Sequence, residues 1–393
     1  MSEIFLLDAV RTPFGRAGGK GVYATTRADD LAAAAIAGLM DRNKQFPPER
    51  IDDVAVAATN QQGDQGLTLG RAAAILAGLP ITVPGLAVDR MCSGAMTSVA
   101  LMAGQIGHGM VDLALAGGVE HMGRHPVRFD ELNPRFAADD LIGPDAFNMG
   151  VTAENLHDLL PHLTRERADR FGLGSQRKAQ AAYEAGRIQP DLIPVEVTRP
   201  DGTVDLVTDD QGRRPETTLE GLAGLKTPFR EDGRVTAGTS SPLTDGATIG
   251  LLAGADAVAE FGLTPKMRLV SWAFTGVQPE IMGTGPIPST EKALRKAGLG
   301  IDDIGLFELN EAFAVQVLAL LDHFGIDDDD PRVNPWGGAL AFGHPLAASG
   351  VRLMIQLAAQ FAERPDVRYG LTAMCVGLGQ GGSMIWENPH YRS

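Results

Sequence analysis

The chain has 393 residues, a formal net charge of −15 from 34 Lys plus Arg against 49 Asp plus Glu, and two cysteines, Cys92 and Cys375. This length holds two or three domains with cores of their own and excludes a small stapled scaffold. An overall negative field repels polyanions, which argues against nucleic-acid or anionic-membrane binding and requires any anionic ligand to be held by local contacts.

A hydrophobic content of 44% with 21% charged residues is that of a globular chain. The longest apolar run, Leu31 to Met40, is about half a membrane span and follows Asp29 and Asp30 as a capped helix would, so no integral membrane segment is expected. The Met-Ser-Glu start lacks the basic and apolar parts of a signal peptide. The expectation is a cytoplasmic protein whose two thiols stay reduced.

In chain order, Ile4 to Asp8 and Asp53 to Ala58 read as short buried strands, with helices over Asp29 to Asn43 and Leu67 to Leu79. The strand Gly85 to Asp89 runs into Cys92, and Ser93 to Gly107 is small and apolar on nearly every side, which marks a helix buried all round. Val111 to Ala116 is a further strand closed by Gly117 and Gly118. From His121 to Gly246 the chain is richer in charge, proline and polar turns, with a helix from Ser175 to about Ala185, and reads as an inserted subdomain. Ala247 to Phe261 reads as a helix returning to the first core. Then come the strand Arg268 to Ala273, the helix Ser289 to Ala297, the strand Leu306 to Glu308 and the helix Ala312 to Phe324.

An internal echo links the two ends of the chain. A turn carrying Cys92 feeds a small-residue helix and then the strand that ends at Gly118. A turn carrying His344 feeds the helix Ala348 to Phe361, then the strand Tyr369 to Met374 and the glycines after Cys375. Two similarly folded halves, each a sheet covered by helices, are expected.

Four segments are candidates for chemistry. Cys92 ends a strand and opens a helix, where unpaired amides lower a thiol pKa and favour the thiolate, although a free cysteine is equally at home as a small core residue. Asn334 to Arg352 reads NPWGGALAFGHPLAASGVR: glycines allow close backbone approach and Pro345 stiffens the turn presenting His344, the best candidate general base. The other histidines (His108, His121, His125, His157, His162 and His323) have surface, turn or core settings, and His390 falls in a tail expected to fray. Tyr369 to Glu387 is a strand, a glycine turn with Cys375 at its mouth, and a second strand; amides in such a turn can converge on an oxyanion, and a plain hairpin is the alternative. In LFELNEAFAVQVL, Asn310 and Glu311 stand between strand and helix, where capping is the default role.

Taken together and in order, LDAVRTPFGR, DRMCSGAM, LAGGVEHM, MGVTAEN, VTAGTSSPLTDGA, MGTGPIPS, LNEAFA, GGALAFGHPLAASG and CVGLGQG resemble the thiolases, the acyl-CoA C-acyltransferase family, over almost the whole chain. The resemblance implies an α/β fold of two similar halves stacked as α/β/α/β/α layers with an inserted loop domain. The first half would be residues 1–120 and 247–267, the loop domain 121–246 and the second half 268–393. It also implies that Cys92 is the nucleophile, His344 its activating base and Cys375 an acid/base thiol. Asn310 and His344 would form one oxyanion hole around a water, and the amides of Cys92 and Gly377 a second.

CoA is implied as co-substrate, with no tightly bound cofactor and no metal. Its contacts would be Met149, Arg214, Phe229, Ala237, Ser241, Leu243, Ala312 and Phe313, with Arg214 the local positive charge for the phosphorylated nucleotide. Implied partners are acyl-CoA and CoA, a second copy or a dimer of dimers, and a separate hydratase/dehydrogenase α subunit.

Three departures stand out: CSGAM where thiolases have CSSGL or CASGM, Ala347 where glycine is usual, and Asn148 where biosynthetic thiolases commonly have His. Leu378 and the LAGGVEHM and RPETT segments resemble the degradative branch, especially β subunits of fatty-acid oxidation complexes, and favour cleavage of 3-oxoacyl-CoA over synthesis. The alternatives are a biosynthetic acetoacetyl-CoA thiolase, a condensing enzyme of the same fold, which generally lacks the second cysteine, and a non-catalytic lipid-binding relative, which would have lost Cys or His at the motif positions. A structural zinc site fits poorly, because two cysteines and one histidine lack paired spacing.

Overall fold

A computed structural model describes residues 2–127, 133–139 and 141–392. The strands in chain order are β1 (Ile4–Arg11), β2 (Gly15–Arg16), β3 (Asp53–Ala57), β4 (Leu86–Val88), β5 (Leu113–His121), β6 (Val195–Thr198), β7 (Val204–Val207), β8 (Thr244–Gly254), β9 (Met267–Gly276), β10 (Ile304–Leu309), β11 (Tyr369–Val376) and β12 (Gln380–Glu387). Apart from the β6–β7 hairpin they join in the order β10-β11-β12-β9-β1-β8-β5-β3-β4, with β2 on β8.

The join between β1 and β9 is only two residue pairs long, Phe5 with Arg268 and Leu6 with Met267. On either side the pairing repeats. In the first half β3 is parallel to β5, and β8 is antiparallel to both β5 and β1. In the second, β10 is parallel to β11, and β12 is antiparallel to both β11 and β9. The echo between the turns of Cys92 and His344 is therefore an echo of topology.

The buried helices of the two halves, Gly94–Gly107 and Ser349–Glu363, share one core in which Met96, Val99 and Met102 meet Val351, Met354 and Leu357, with sheet residues of both halves around them. The outer face of the first sheet is covered by Ala28–Arg42 and Leu69–Leu76, and that of the second by Pro286–Ala297 and Ala314–Phe324. The five expected layers follow. The halves approach closely because the contact residues are small: a Cβ added to Gly350 would lie 2.6 Å from the Met96 amide nitrogen, and one added to Gly94 would lie 2.9 Å from Ala347 Cβ.

Three expectations about elements need correction. Gly117 and Gly118 do not close the strand expected over Val111 to Ala116: β5 starts at Leu113 and runs through both glycines to His121, paired with β3 and β8. Thr244–Gly254, which overlaps the first part of the predicted helix Ala247 to Phe261, is strand β8; only Ala255–Phe261 is helical. All eleven residues of β8 are buried, and its later part, 249–254, is apolar or glycine on both faces, so it has the same unbroken pattern as a buried helix. The helix expected from Ser175 begins ten residues earlier, at Arg165, where the Thr164 hydroxyl accepts from the Arg167 amide. Its charged first turns hide a buried face of Ala168, Gly172 and Leu173. The predicted frayed tail is also tied down, since a His390 ring nitrogen lies 3.1 Å from the Pro265 carbonyl. No helix among the described residues is long and apolar enough to cross a membrane.

Candidate active site

A cavity of about 460 Å³ opens where the equivalent ends of the two halves meet. Cys92, His344 and Cys375 all line it, and each is almost fully buried, 8%, 4% and 1% exposed. Cys92 sits in a single 3₁₀ turn, Met91–Ser93, that leads into the buried helix; Met91 before it is held at φ 44°, a left-handed conformation uncommon for a residue with a side chain. This bend puts Cys92 at the cavity instead of inside the helix. His344 occupies the corresponding position in the second half, fixed through its amide, which donates to the Thr244 hydroxyl at 3.1 Å. Cys375 is next to last in β11, paired with Gly381 of β12.

The turn between β11 and β12, Gly377 to Gly379, has positive φ at Leu378 and Gly379, so the chain reverses within three residues. Its Gly377 amide is near enough to the Cys92 sulfur to favour the thiolate. A Cβ at Gly377 would lie 2.6 Å from Met91 Cε, so a side chain here would require the tip of Met91 to move.

Electrostatics correct the expectation of an acidic thiol at Cys92. Burial pushes it up to about 12, and the amide of Gly377 offsets this only in part. Burial, and then the neighbouring Cys92, push Cys375 up as well. Loss of solvent outweighs the helix-end dipole when a charge is to be formed in an apolar pocket. His344 is lowered to about 3, first by burial and then by Arg352, so the resting site holds neutral thiols and a neutral imidazole. The Ser349 hydroxyl lies 2.5 Å from His344 Nδ1. With Nδ1–H donated to that oxygen, Nε2 keeps the lone pair a base requires.

Because the imidazole is protonated at pH 5 to 6.5 in the unfolded chain and neutral in the native one, the unfolded state binds the extra proton in that window. The stabilisation from a neutral His344 is complete above its ordinary value of 6.5 and is lost as pH falls towards 3. Between pH 6.5 and pH 5 this amounts to about 2 kcal/mol. Glu308, pushed up to about 8 by burial, works in the opposite sense but is common to wild type and a His344→Asn variant. The free energy of urea unfolding should therefore fall more for wild type than for His344→Asn between pH 7 and pH 5, by about 2 kcal/mol; equal falls would contradict a buried neutral imidazole.

Asn310 does not cap. The helix begins only at Ala314, and the Asn310 side-chain nitrogen lies 3.4 Å from each His344 ring nitrogen. Its neighbour Glu311, also read as a cap, is instead buried: its carboxylate accepts from Ser175 Oγ at 2.5 Å, Asn334 Nδ2 at 2.8 Å and the Leu340 amide at 3.1 Å, which ties the glycine turn before His344 to the end of β10. Sequence reasoning missed Glu311, Ser349 and Arg352 as parts of this site. The signal was there for the last two, as polar residues three apart on a helix otherwise lined by apolar ones.

Of the eight residues singled out for CoA, Met149, Phe229, Ser241, Leu243, Ala312 and Phe313 line the same cavity. Arg214 and Ala237 line a smaller pocket of about 40 Å³, which has Pro242 in common with the first. The loop of Ser241 is held against the Asn310 segment by two backbone bonds, Ser241 N to Ala312 O and Ala314 N to Thr239 O, each 2.9 Å. Phe229 meets Phe313 edge-on with ring centres 6.4 Å apart and rests on Gly150, whose place no larger residue could take. Arg214 is exposed; its amide donates to Gln176 at 3.0 Å, and its carbonyl accepts from the Thr217 hydroxyl at 2.7 Å and the Thr217 amide at 3.1 Å. Asn148, the departure noted above, caps the helix Met149–Leu159 with its side-chain oxygen.

Comparison with known proteins agrees over the full length. The family descriptions "Thiolase, N-terminal domain" and "Thiolase, C-terminal domain" match residues 4–256 and 263–388. The 3-oxoadipyl-CoA/3-oxo-5,6-dehydrosuberyl-CoA thiolase of Escherichia coli strain K12 is 42% identical, covering 98% of this chain and 100% of its own. The 3-ketoacyl-CoA thiolase of Idiomarina loihiensis is also 42% identical with the same coverage. The crystal structure of the Bacillus anthracis acetyl-CoA acetyltransferase superposes with a TM-score of 0.89 at 32% identity, covering 99% of each chain. Both halves and their order are thus matched over nearly the whole length, and the chain belongs to the thiolase family of acyltransferases.

Proposed function

We propose that the protein is a degradative 3-ketoacyl-CoA thiolase, which cleaves a 3-oxoacyl-CoA with CoA into acetyl-CoA and an acyl-CoA two carbons shorter. The observation that carries this reading is one apolar cavity lined jointly by two thiols and an imidazole. Cys92 gives its proton to His344 Nε2, and its sulfur attacks the C3 carbonyl, whose oxygen becomes an alkoxide held by the Cys92 and Gly377 amides. As the carbonyl reforms, the C2–C3 bond breaks and its electron pair leaves as the enolate of acetyl-CoA, with the thioester oxygen held at Asn310 and His344. Cys375 donates a proton to C2. The Cys375 thiolate then takes the proton of an incoming CoA thiol, whose sulfur releases the acyl group from Cys92, and His344 returns its proton to the departing thiolate.

Two thiols serve because the cycle needs a leaving nucleophile and a separate proton carrier at C2. CoA is a co-substrate bound along Met149, Phe229, Ser241, Leu243, Ala312 and Phe313, with Arg214 and Ala237 beyond them. The same proposal takes residues 121–246 as a loop domain between halves 1–120 with 247–267 and 268–393, and includes a cytoplasmic homodimer or dimer of dimers. Relatives are named for 3-oxoadipyl substrates as well as for 3-ketoacyl ones. The cavity favours the second, since among its described lining residues there is no Lys or Arg to receive a terminal carboxylate, and burying one unpaired costs several kcal/mol. Turnover followed by loss of the 3-oxoacyl-CoA enolate absorbance should be at least about 100-fold more efficient with 3-oxohexanoyl-CoA than with 3-oxoadipyl-CoA. Equal efficiencies would assign the acidic substrate, and no turnover across the 3-oxoacyl series would defeat the thiolase reading.

A further inference from the structure

The helix Ser349–Glu363 runs through the middle of the core, yet one of its faces is polar: Ser349, Arg352, Gln356 and Gln360, spaced by three and four residues, are 0%, 0%, 4% and 2% exposed. Burying such a stripe costs stability unless its groups are paired. Ser349 reaches His344, as described. Arg352 donates from one Nη to Asn310 Oδ1 at 3.3 Å and from the other to Gln356 Oε1. The second Nη also lies 3.8 Å from Glu308, which accepts from Gln360 at 2.6 Å, and the Gln356 amide donates to the Gly337 carbonyl at 3.2 Å. The stripe is a rail that starts at the two catalytic candidates and runs away from the cavity.

An asparagine side chain has nearly the same shape either way round, so only its partners decide which end faces the reaction. Arg352 has donors and no acceptor. Turning the Asn310 amide over would set its NH2 against the guanidinium and its oxygen against His344. We propose that Arg352 is a positioning residue, which fixes the Asn310 amide with its NH2 towards His344 and the enolate oxygen and thereby sets the polarity of that oxyanion hole. The proposal rests on the thiolase reading above, because it assigns Arg352 to one of the two holes only. The enolate of carbon–carbon cleavage is held at Asn310 and His344, whereas exchange of a thioester between CoA and Cys92 uses the Cys92 and Gly377 amides.

The test compares these two reactions in the full-length protein. Thiolysis of 3-oxohexanoyl-CoA measures cleavage, and incorporation of labelled CoA into butyryl-CoA measures exchange. Arg352→Met should lower kcat for thiolysis on the order of 100-fold, as loss of an oxyanion donor does, with KM within about threefold and exchange within about fivefold of wild type. In an Asn310→Ala background the same substitution should cost less than about threefold, since the group it orients is gone. Removing Arg352 leaves the Glu308 carboxyl buried without its partner, so Arg352→Met/Glu308→Gln, which replaces both members of the pair by neutral side chains, serves as the folding-competent companion and should show the same split. Parallel loss of cleavage and exchange, unchanged thiolysis in the double variant, or full multiplication of the Arg352 and Asn310 effects would overturn the proposal. A wild-type protein that exchanges CoA but cleaves no 3-oxoacyl-CoA would instead overturn the thiolase reading itself.

Discussion

Cys92→Ala should lower the rate of 3-oxohexanoyl-CoA cleavage by at least about 10⁴-fold, because covalent catalysis has no substitute once the nucleophile is gone. The proposed mechanism gives this role to Cys92, and three features of its setting support that. It is carried by the strained Met91 bend, it lies under the Gly377 amide and it opens the buried helix, whereas Cys375 lies within β11 and is deeper still. The substitution keeps Cβ and removes only sulfur, so the fold should survive and the thermal midpoint should move by a few degrees at most. Residual turnover above about 1% of wild type, in protein with an unchanged melt, would place the nucleophile elsewhere.

Cys375→Ala should separate the two halves of the cycle. Proton delivery by a positioned acid is worth about 10² to 10⁴-fold, and overall thiolysis should fall by that factor. Acylation of Cys92 by a simple acyl-CoA makes no carbanion and requires no proton at C2, so the variant should still take up an acetyl group from acetyl-CoA, read as a mass increase of the intact protein. A variant that can no longer be acylated would make Cys375 part of the attack step. One that keeps full thiolysis would remove it from the mechanism. The elevated thiol values favour this division: a neutral Cys375 at rest has a proton to give, and a neutral His344 has a lone pair to take one.

Much of this was legible in the residues. The small-residue helix after Cys92 and its counterpart after His344 both lie where their composition puts them, and their equivalence in the sequence became an equivalence of sheet topology. What stayed hidden depended on neighbours distant in sequence. Strand β8 is a strand only because β1 and β5 flank it. The thiol of Cys92 reads as acidic from its helix end alone, and burial by Leu346, Met91 and other cavity residues reverses that. Glu311 reads as a cap until Ser175, from a helix 136 residues earlier, is seen to hold it.

Two of the departures from the usual thiolase motifs meet in space. Both were noted from the resemblance: Gly94 lies in the first motif, CSGAM, and Ala347 in the His344 motif. A Cβ at Gly94 would lie 2.6 Å from that of Ala57 and 2.9 Å from that of Ala347, so Gly94 makes room for methyl groups of both halves. Glycine at 94 thus lets the two halves pack closely next to the nucleophile.

The central claim, that an acyl group passes through Cys92, is tested most directly by mixing wild-type protein with 3-oxohexanoyl-CoA in the absence of free CoA, quenching in acid and mapping the protein by peptide mass spectrometry. The account expects a butyryl adduct on the peptide containing Cys92, formed with an equal amount of acetyl-CoA and discharged as butyryl-CoA when CoA is added. An unmodified Cys92 peptide alongside released acetyl-CoA, or an adduct on Cys375 instead, would contradict it.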